Sequence, residues 1–286
     1  MRGTLVIAGL VVREAARRRL LLALLVLTLI VIGLTGWGFS RIPTLTQRGA
    51  PLPDVQVKVL ASQFLILTMF MFSFVLALAA VFVAAPQISG DVESGTALAI
   101  LSRPLSRPAF VIGKWLGLAA LVTAYASGAA AIELGVVDAV VGYRPPEPLA
   151  FIALVVTEGL VLMTLALLFS TRLSGMVGGI IALVLFGIAW LGGIVGGIGA
   201  AFDNPTITHV GTVTKLLLPT DGLWRGAVYA LEPQAVIAAA SGAGPAAAAN
   251  PFYAAAPAPL AFELYVVAWL AGMLALAVWS FGRREP

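Results

Sequence analysis

Long uninterrupted runs of apolar residues, separated by short polar segments, dominate the pattern of this 286-residue chain. A helix needs about 20 apolar residues to cross the hydrocarbon layer of a membrane. Six runs are long enough, and they are continuously apolar, which predicts transmembrane helices and not the alternating strands of a barrel. The predicted spans are Leu20–Phe39, Leu60–Ala85, Phe110–Val137, Leu149–Phe169, Met176–Ala201 and Leu260–Phe281.

The overall composition supports this class, because 60% of the residues are hydrophobic and only 10% are charged. Soluble domains are typically about 45–50% apolar and about 25% charged. The sequence therefore predicts an all-α membrane protein with a single transmembrane domain over residues 1–286. The chain has no Cys and a single His, His209, so we expect no disulfide and no metal site.

The basic residues are distributed unevenly between the loops, and this asymmetry predicts the orientation. With the N-terminus inside, eleven of the 17 Lys and Arg residues lie on the cytoplasmic side. The positive-inside rule then places both termini in the cytoplasm, for a multi-pass protein of the cytoplasmic (inner) membrane. The calculated pI of about 9.8 follows from this topology, so we expect no nucleic-acid partner.

The longest predicted cytoplasmic loop joins the second and third spans, over residues 86–109. Pro86 is expected to end the second span, because proline cannot donate to the helix ladder. Apolar Ile88 and Val92 are interspersed with acidic residues, which favours a short amphipathic helix along the inner membrane face. By periodicity alone, such a helix could equally be an ordinary loop helix that rests on lipid.

A longer string, GDVESGTALAILSRPLSRPAFVIGKWLG at residues 90–117, resembles the signature of type-2 ABC exporter permeases. In that family an E-x-G-T segment is followed by an apolar run, a short R-P-L-x-R turn and a G-K-x-x-G at the start of the third span. The six-span layout and the long loop before the last span also agree, so the resemblance covers the whole chain. Within that family, the chain resembles the permease of nitrous-oxide-reductase maturation systems. The matching residues are Glu93, Gly95, Thr96, Arg103, Pro104, Leu105, Arg107, Gly113, Lys114 and Gly117.

This resemblance implies the permease subunit of an ATP-driven exporter, which moves a hydrophobic or amphipathic substrate out of the cytoplasm or inner leaflet. Such a permease works with a second copy of itself or a related one, in membrane lipid, and with two separate ABC ATPase subunits that carry the ATP and Mg²⁺. The loop 86–109 would be the coupling helix, with its acidic residues facing basic groups of the ATPase and its apolar residues filling a groove there. The coupling residues implied are Ile88, Asp91, Val92, Glu93, Gly95, Thr96, Arg103 and Arg107.

The N-terminal residues 1–19 combine an apolar side with several Arg residues, which is typical of a helix in the inner headgroup layer. The resemblance implies a connecting helix packed near the coupling helix. The same charges would also suit a plain positive-inside anchor.

The chain is expected to have no nucleotide site, and therefore no enzymatic activity by itself. The Gly113-Lys114 pair lacks the rest of a P-loop, because Pro108 and Trp115 occupy the first Gly and the Ser/Thr positions. We expect Lys114 to extend to the inner headgroups.

Two carboxylates are predicted inside the membrane, where ionisable groups are costly and by default mark function. Glu158 falls near the middle of the fourth span, and Glu133 in the outer part of the third. Each would either line a cavity or be protonated or hydrogen-bonded between helices. The resemblance implies a central path lined by the second and fifth spans, although lipid-facing aromatic residues would explain the same pattern. The path candidates are Phe64, Met71, Phe74, Glu133 and Glu158.

The fifth span also contains pairs of glycines with GxxxG spacing, which lets helices approach closely. They indicate either tight packing within one subunit or a seam between two subunits. The pairs are Gly175 with Gly179, Gly192 with Gly196, and Gly193 with Gly197.

Residues 202–259 form the predicted outer loop. Thr220 or Asp221 is expected to cap a short helix that ends near Leu231, and the Ala-, Gly- and Pro-rich run after it predicts a flexible linker. The resemblance implies short re-entrant helices that form an outer gate here. The gate candidates are Asp221, Trp224 and Arg225.

Two other classes of function fit parts of the sequence. A proton-coupled secondary transporter would use Glu133 and Glu158, although the inverted repeats expected of that class are not visible. An intramembrane enzyme would need a nucleophile with its base, or a metal cluster, at membrane depth. No predicted span contains His, and neither carboxylate lies in a recognisable motif.

Overall fold

A computed structural model of the chain describes residues 2–16, 19–47, 49–97, 106–241, 247 and 249–284. Helices account for most of these residues, and the β-structure among them is one small hairpin, β1 (Thr46–Gln47) with β2 (Ala50–Pro51). The helices are α1 Arg2–Ala16, α2 Arg19–Phe39, α3 Asp54–Ala84, α4 Pro86–Glu93, α5 Arg107–Val141, α6 Pro148–Ser170, α7 Gly175–Ala201, α8 Pro205–Leu217, α9 Thr220–Leu231, α10 Gln234–Ser241 and α11 Leu260–Gly282.

The six predicted spans are helices, and within the described residues six helices are long and apolar enough to cross a membrane. They are α2, α3, α5, α6, α7 and α11, so the all-α membrane class is confirmed. Two of them differ most from the prediction, because α3 already begins at Asp54 and α5 extends from Arg107 to Val141. Gly142 ends α5 in the left-handed conformation, with φ of 70°, which suits a residue without a Cβ.

The core lies around α6, which packs against α3, α5, α7, α9 and α11. Its side chains Phe151, Leu162 and Met163 are fully enclosed. By contrast, only 17% of the apolar window of α2, and of that of α11, is buried in this chain. The helices with exposed apolar faces therefore surround a packed centre.

Because six spans bring the chain back to its starting side, the bundle has two distinct ends. The α4 end carries α1, α4 and the end of α11, and the α9 end carries the short helices α8, α9 and α10.

At the α4 end, α1 lies across α5. The residues of α5 at the crossing point are Gly113 and Gly117, so no side chain separates the two helices. A Cβ at Gly113 would lie 2.7 Å from the Cβ of Ile7, and one at Gly117 would lie 2.7 Å from the carbonyl oxygen of Ala8. The G-K-x-x-G motif therefore forms the surface on which α1 packs, and Val11 of α1 is buried there. The prediction of an N-terminal helix is confirmed.

At the α9 end, α8 turns back along α7, and α9 then follows in the opposite sense. Gly211 of α8 lies against Gly196 of α7, where an added Cβ would be 2.6 Å from the other glycine's Cα. Thr214 packs on Gly192, nine residues before the end of α7, so the hairpin extends about 14 Å back along that helix.

These contacts favour the first of the two interpretations of the glycine pairs. Gly192 and Gly196 accommodate α8, and Gly193 accommodates the side chain of Asp221. At the other end of α7, Gly175 lies against Pro86, with an added Cβ 3.0 Å from its Cα. Packing within one subunit therefore explains these glycines, and Gly179 likewise meets the end of α3.

The outer loop contains more structure than the sequence indicated. Helix α8 was not predicted, although Asn204 accepts a hydrogen bond from the N–H of Ile207 and Pro205 occupies the first turn, which are ordinary helix-start signals. Helix α9 was predicted at its observed position. The proposed cap was wrong, because Pro219 is the N-cap residue and no side chain caps the helix.

The expected flexible linker is also wrong for part of its length. Helix α10 runs to Ser241, and residues 251–254 pack against the bundle. The indole N–H of Trp224 donates to the carbonyl of Pro251 at 3.0 Å, and the ring of Phe252 lies 5.0 Å from that of Phe70. Two aromatic side chains within an Ala- and Pro-rich run provide enough apolar surface to hold this segment.

The end of α9 is fixed by polar contacts. Tyr143 donates its hydroxyl to the carbonyl of Leu231, and one carboxylate oxygen of Glu232 accepts from the N–H of Ala254 at 3.4 Å. The other oxygen, Oε1, is buried and has no hydrogen-bond partner among the described residues. Burial raises the pKa of Glu232 to about 7 from its ordinary 4.5, and burial and the charge of Glu232 raise that of Tyr143.

We predict that Gly196→Ala destabilises the protein while Gly187→Ala does not. Both changes add one methyl to α7, but a Cβ at 196 meets the backbone of α8 and one at 187 has nothing within 4 Å. Overpacking of this kind costs about 1–3 kcal/mol. Thermal unfolding in detergent should show a lower melting temperature for the first variant alone. Equal melting temperatures would contradict the close approach of α7 and α8.

We predict that the stability of the folded chain falls between about pH 4.5 and 7 through Glu232. The raised pKa means that the folded state holds this proton more tightly than the unfolded state. The stabilisation is therefore fully present below the ordinary pKa and is lost as the pH rises through the folded value. Melting temperatures across this range should decline less in Glu232→Gln than in the wild type. The exposed, matched variant Glu147→Gln should behave as the wild type, and an unchanged decline in Glu232→Gln would contradict the assignment.

Candidate coupling site and transport path

The candidate coupling segment begins with a break in the helix at Pro86. Helix α3 ends at Ala84, and the N–H of Ala85 still donates to the carbonyl of Val81, at 2.8 Å. Proline then opens α4, where its missing N–H costs little. Pro86 therefore ends the second span as predicted, but it also starts the next helix directly, with no loop between them.

The first turn of α4 is held by the end of α6. The hydroxyl oxygen of Ser170 accepts from the N–H groups of Ile88, at 3.1 Å, and of Ser89, at 3.0 Å. Backbone N–H groups in a first turn have no partner within their own helix, so this side chain from another span satisfies two of them. The sequence analysis did not single out Ser170, because a Ser at the end of an apolar run carries no local signal.

The buried side of α4 is held by α5. Lys114 places its ammonium 2.6 Å from a carboxylate oxygen of Asp91 and 3.3 Å from the side-chain oxygen of Gln87. Lys114 is 5% exposed, and the side chain of Asp91 is 19% exposed. The expectation that Lys114 extends to the headgroups is therefore wrong, because the acidic partner lies within its own bundle. Asp91 is engaged in the same pair and does not point freely towards another subunit.

Ile88 is fully buried and so does not present its side chain to a partner's groove, which corrects that expectation. Val92 is only partly buried and packs against the core cluster. The apolar residues of α4 thus attach the helix to its own bundle.

The far end of α4 is exposed. Gly95 has φ of 74°, so it ends the helix in the left-handed conformation that a residue without a Cβ adopts easily. Glu93 and Thr96 flank this turn and are exposed, and the hydroxyls of Ser94 and Thr96 lie 2.9 Å apart. The E-x-G-T motif is therefore a helix end that presents polar groups to the surroundings.

Two further predicted coupling residues stand apart from α4. Arg107 donates to the carbonyls of Gly282, at 2.8 Å, and Arg284, at 2.9 Å, so it binds the C-terminal end of α11. Arg103 lies outside the described residues.

A cavity of about 480 Å³ lies between α1 and the start of the coupling segment. Its polar lining is Arg13, Glu14, Asp91, Thr96 and Lys114. The N-terminal helix and α4 thus face a common space, with both signs of charge around it.

In the membrane part of the bundle, the predicted path residues separate into two groups. Phe74 belongs to an aromatic cluster in which the ring of Phe70 lies 5.0 Å from Phe74 and 5.3 Å from Trp224. Trp190 completes the cluster, 5.4 Å from Phe70. The tertiary structure therefore brings a path candidate and a gate candidate together through Phe70.

Phe64 and Met71 instead lie on the face of α3 that points away from the bundle, and each is about half exposed, at 52% and 50%. With Phe82, they form an apolar stripe along one side of α3. Lipid or another membrane subunit would cover such a stripe.

The two membrane carboxylates have different surroundings. Both carboxylate oxygens of Glu158 lie 2.9 Å from the hydroxyl of Ser73, so Glu158 joins α6 to α3 and matches the interpretation of a hydrogen-bonded group between helices. Glu133 lines a cavity of about 40 Å³, and one of its oxygens is buried with no hydrogen-bond partner in the part of the chain that the structure describes. Of the two, Glu133 is therefore the one that borders open space in the described residues.

At the α9 end, the gate candidates Asp221 and Arg225 form an ion pair. The carboxylate of Asp221 lies 3.2 Å from Nε of Arg225 and 3.5 Å from Nζ of Lys215. Asp221 is 1% exposed, and a second guanidinium nitrogen of Arg225 donates to the carbonyl of Gly193 at 3.0 Å. Lys215 was not among the predicted site residues, because α8, which carries it, was not foreseen.

Comparison with known proteins agrees with this architecture. A search of curated proteins finds no match. The sequence model of the family described as "ABC-2 family transporter protein" matches residues 5–285. Because that match extends from α1 to the end of α11, the chain belongs to the ABC-2 family of transporter proteins.

Proposed function

We propose that this permease is the transmembrane subunit of an ATP-driven exporter and that it receives force from a separate ATPase through α4. Membership of the ABC-2 family supports a transport subunit, which works with ABC ATPase partners. The finer resemblance, to permeases of nitrous-oxide-reductase maturation systems, remains a prediction. So do the cytoplasmic position of the α4 end and export as the direction.

The observation that supports this role best is the attachment of α4 to several spans at once. It continues α3 across Pro86, it is bonded to α6 by Ser170, and it is paired with α5 through Lys114. Gly175 adds close contact with the start of α7. A displacement of α4 would therefore be carried into four spans.

The exposed end of α4 supplies a surface for the partner. Glu93 and Thr96 project beside the Gly95 turn, and their charge and polarity suit an interface that must hold while the partner moves. Asp91 contributes indirectly, because it is bound to Lys114 and so fixes the orientation of α4. We propose two ATPase subunits and a second permease copy, with the exposed stripe on α3 as part of the surface between the copies.

A proton-coupled transporter is the alternative. The unpartnered oxygen of Glu133 beside a small cavity is the one observation that favours it. In that case Glu133→Gln would abolish transport in ATP-free vesicles under a pH gradient.

We predict that Glu93→Lys weakens the association with the ATPase without altering the fold. Glu93 is exposed at the end of α4, so charge reversal should leave the melting temperature unchanged while it disturbs a complementary surface. The amount of ABC ATPase that co-purifies with the tagged chain from its native host should fall several-fold. Asp54→Lys, an exposed acidic residue at the opposite end, is the control. Equal recovery with both variants would argue against α4 as the docking site.

We predict that Ser170→Ala uncouples the two subunits while the ATPase stays bound. The change leaves the N–H groups of Ile88 and Ser89 without their acceptor, which costs about 1–3 kcal/mol and loosens α4 from α6. Thr157→Ala, on the same helix but only partly buried and bonded to its own helix through the carbonyl of Ala153, is the matched control.

The readout for Ser170→Ala is a fluorophore attached through Phe64→Cys, since the chain has no natural cysteine. In the reconstituted complex, ATP should change the fluorescence in the wild type and in Thr157→Ala, and change it several-fold less in Ser170→Ala. A full response in Ser170→Ala would contradict transmission through this contact.

A further inference from the structure

A second cavity of about 480 Å³ lies at the α9 end, between α7, α8 and the segment before α11. This volume is within the range of about 300–1,000 Å³ that is typical of sites for small molecules. Its walls are largely small and apolar, and include Gly196, Ala200 and residues 254–256. The cavity is distinct from the coupling segment, which is at the opposite end of the bundle.

The charged groups that line this cavity are both basic. Lys215 and Arg225 contribute side chains to it, and the acidic partner that they share, Asp221, is enclosed at 1% exposure. Two cations and one carboxylate leave a net charge of +1. Arg225 is oriented by its bonds to Asp221 and Gly193, whereas the Lys215 side chain is 35% exposed and its ammonium lies 3.5 Å from the nearest carboxylate oxygen. Lys215 is therefore the cation best placed to meet a ligand.

A neutral side chain beside these cations carries a buried hydroxyl. Tyr253 is 7% exposed and lines the cavity, and its hydroxyl is buried without a hydrogen-bond partner among the described residues. A buried hydroxyl without a partner is unfavourable, so a ligand oxygen that reached it from the cavity would relieve that cost. The hydroxyls of Thr208 and Thr212 also line the cavity, and each already donates to a backbone carbonyl of α8 or its cap.

We propose that this cavity binds the anionic head group, a phosphate or a carboxylate, of an amphipathic molecule. The net positive charge and the unpartnered hydroxyl of Tyr253 suit an anion, because hydrogen bonds between charged groups are the stronger ones. The small apolar walls suit a hydrocarbon portion. As a statement of substrate class this inference rests on the proposed export function, whereas the binding event does not need the ATPase.

The test is a titration of the purified full chain, in a neutral detergent, with dodecyl phosphate below its micellar concentration. Binding is measured by the rise in melting temperature and by intrinsic tryptophan fluorescence. Zwitterionic dodecylphosphocholine, which has the same chain length, is the matched ligand control. The wild type should bind dodecyl phosphate and should bind dodecylphosphocholine at least about tenfold more weakly.

Variants of the lining residues distinguish binding of dodecyl phosphate in this cavity from its nonspecific adsorption to the protein. Lys215→Gln removes one charge-assisted contact and should weaken binding of dodecyl phosphate about tenfold or more. Tyr253→Phe should weaken it about three- to tenfold, with no loss of melting temperature in the absence of ligand. Lys58→Gln, at an exposed position on α3, is the matched control and should bind as the wild type does. Equal affinity of the wild type and Lys215→Gln, or of the two ligands, would overturn the proposal.

Analysis of co-purified lipid identifies the source of the head group. An anionic phospholipid that is retained by the wild type and lost from Lys215→Gln would identify a resident membrane lipid. Binding of dodecyl phosphate without any retained anionic lipid would identify a free amphiphile, as expected for cargo. A chain that binds dodecyl phosphate through Lys215 but recruits no ATPase would overturn the proposed function and leave this site standing. If the chain recruits the ATPase normally but its binding of dodecyl phosphate does not depend on Lys215, the proposal for this cavity is overturned and the proposed function stands.

Discussion

A backbone N–H group that lies within a membrane protein must find its acceptor in the protein, because little water is available to replace it. At the Pro86 break that acceptor is Ser170, which accepts from two N–H groups of α4. The bond allows the chain to stop one helix and start another without an intervening loop. It also makes α4 a part of the bundle, so that the exposed polar turn at Gly95 is rigidly connected to α3 and α6.

At the α9 end the chain reverses direction between α7 and α8, and this reversal is stabilised in a different way. There α8 folds back along α7 because glycine faces glycine, and the absence of side chains lets the two backbones approach. The same absence makes room for the carboxylate of Asp221 beside Gly193, within reach of Lys215 and Arg225. Close packing and buried charge are therefore linked at this end, since the ion pair occupies space that a larger residue on α7 would fill.

The two ends are joined by the enclosed core around α6. Ser73 and Glu158 bond α3 to α6, and the rings of Phe70 and Trp224 connect α3 to α9. A movement of α3 at the Pro86 break would therefore also displace the carboxylate of Glu158 and the aromatic cluster. This continuity gives a physical route between the proposed docking end and the anion cavity, through contacts in a close-packed interior that transmits displacement.

The spans and the class could be predicted from the sequence alone, because a membrane helix must be continuously apolar over its length. Such a run of apolar residues is visible without knowledge of the rest of the fold. Helices α4 and α9 could be predicted as well, because the Pro and Gly residues near their ends start or stop a helix through effects that act within a few residues. The roles of the charged and small residues, by contrast, became clear from the packing of the helices. Lys114 pairs with Asp91 instead of reaching the headgroups, Arg107 binds the end of α11, and the glycines of α7 accommodate its own neighbours. Each of these outcomes depends on a partner that is distant in sequence, and a pattern along the chain does not encode which distant group will lie within a few ångströms.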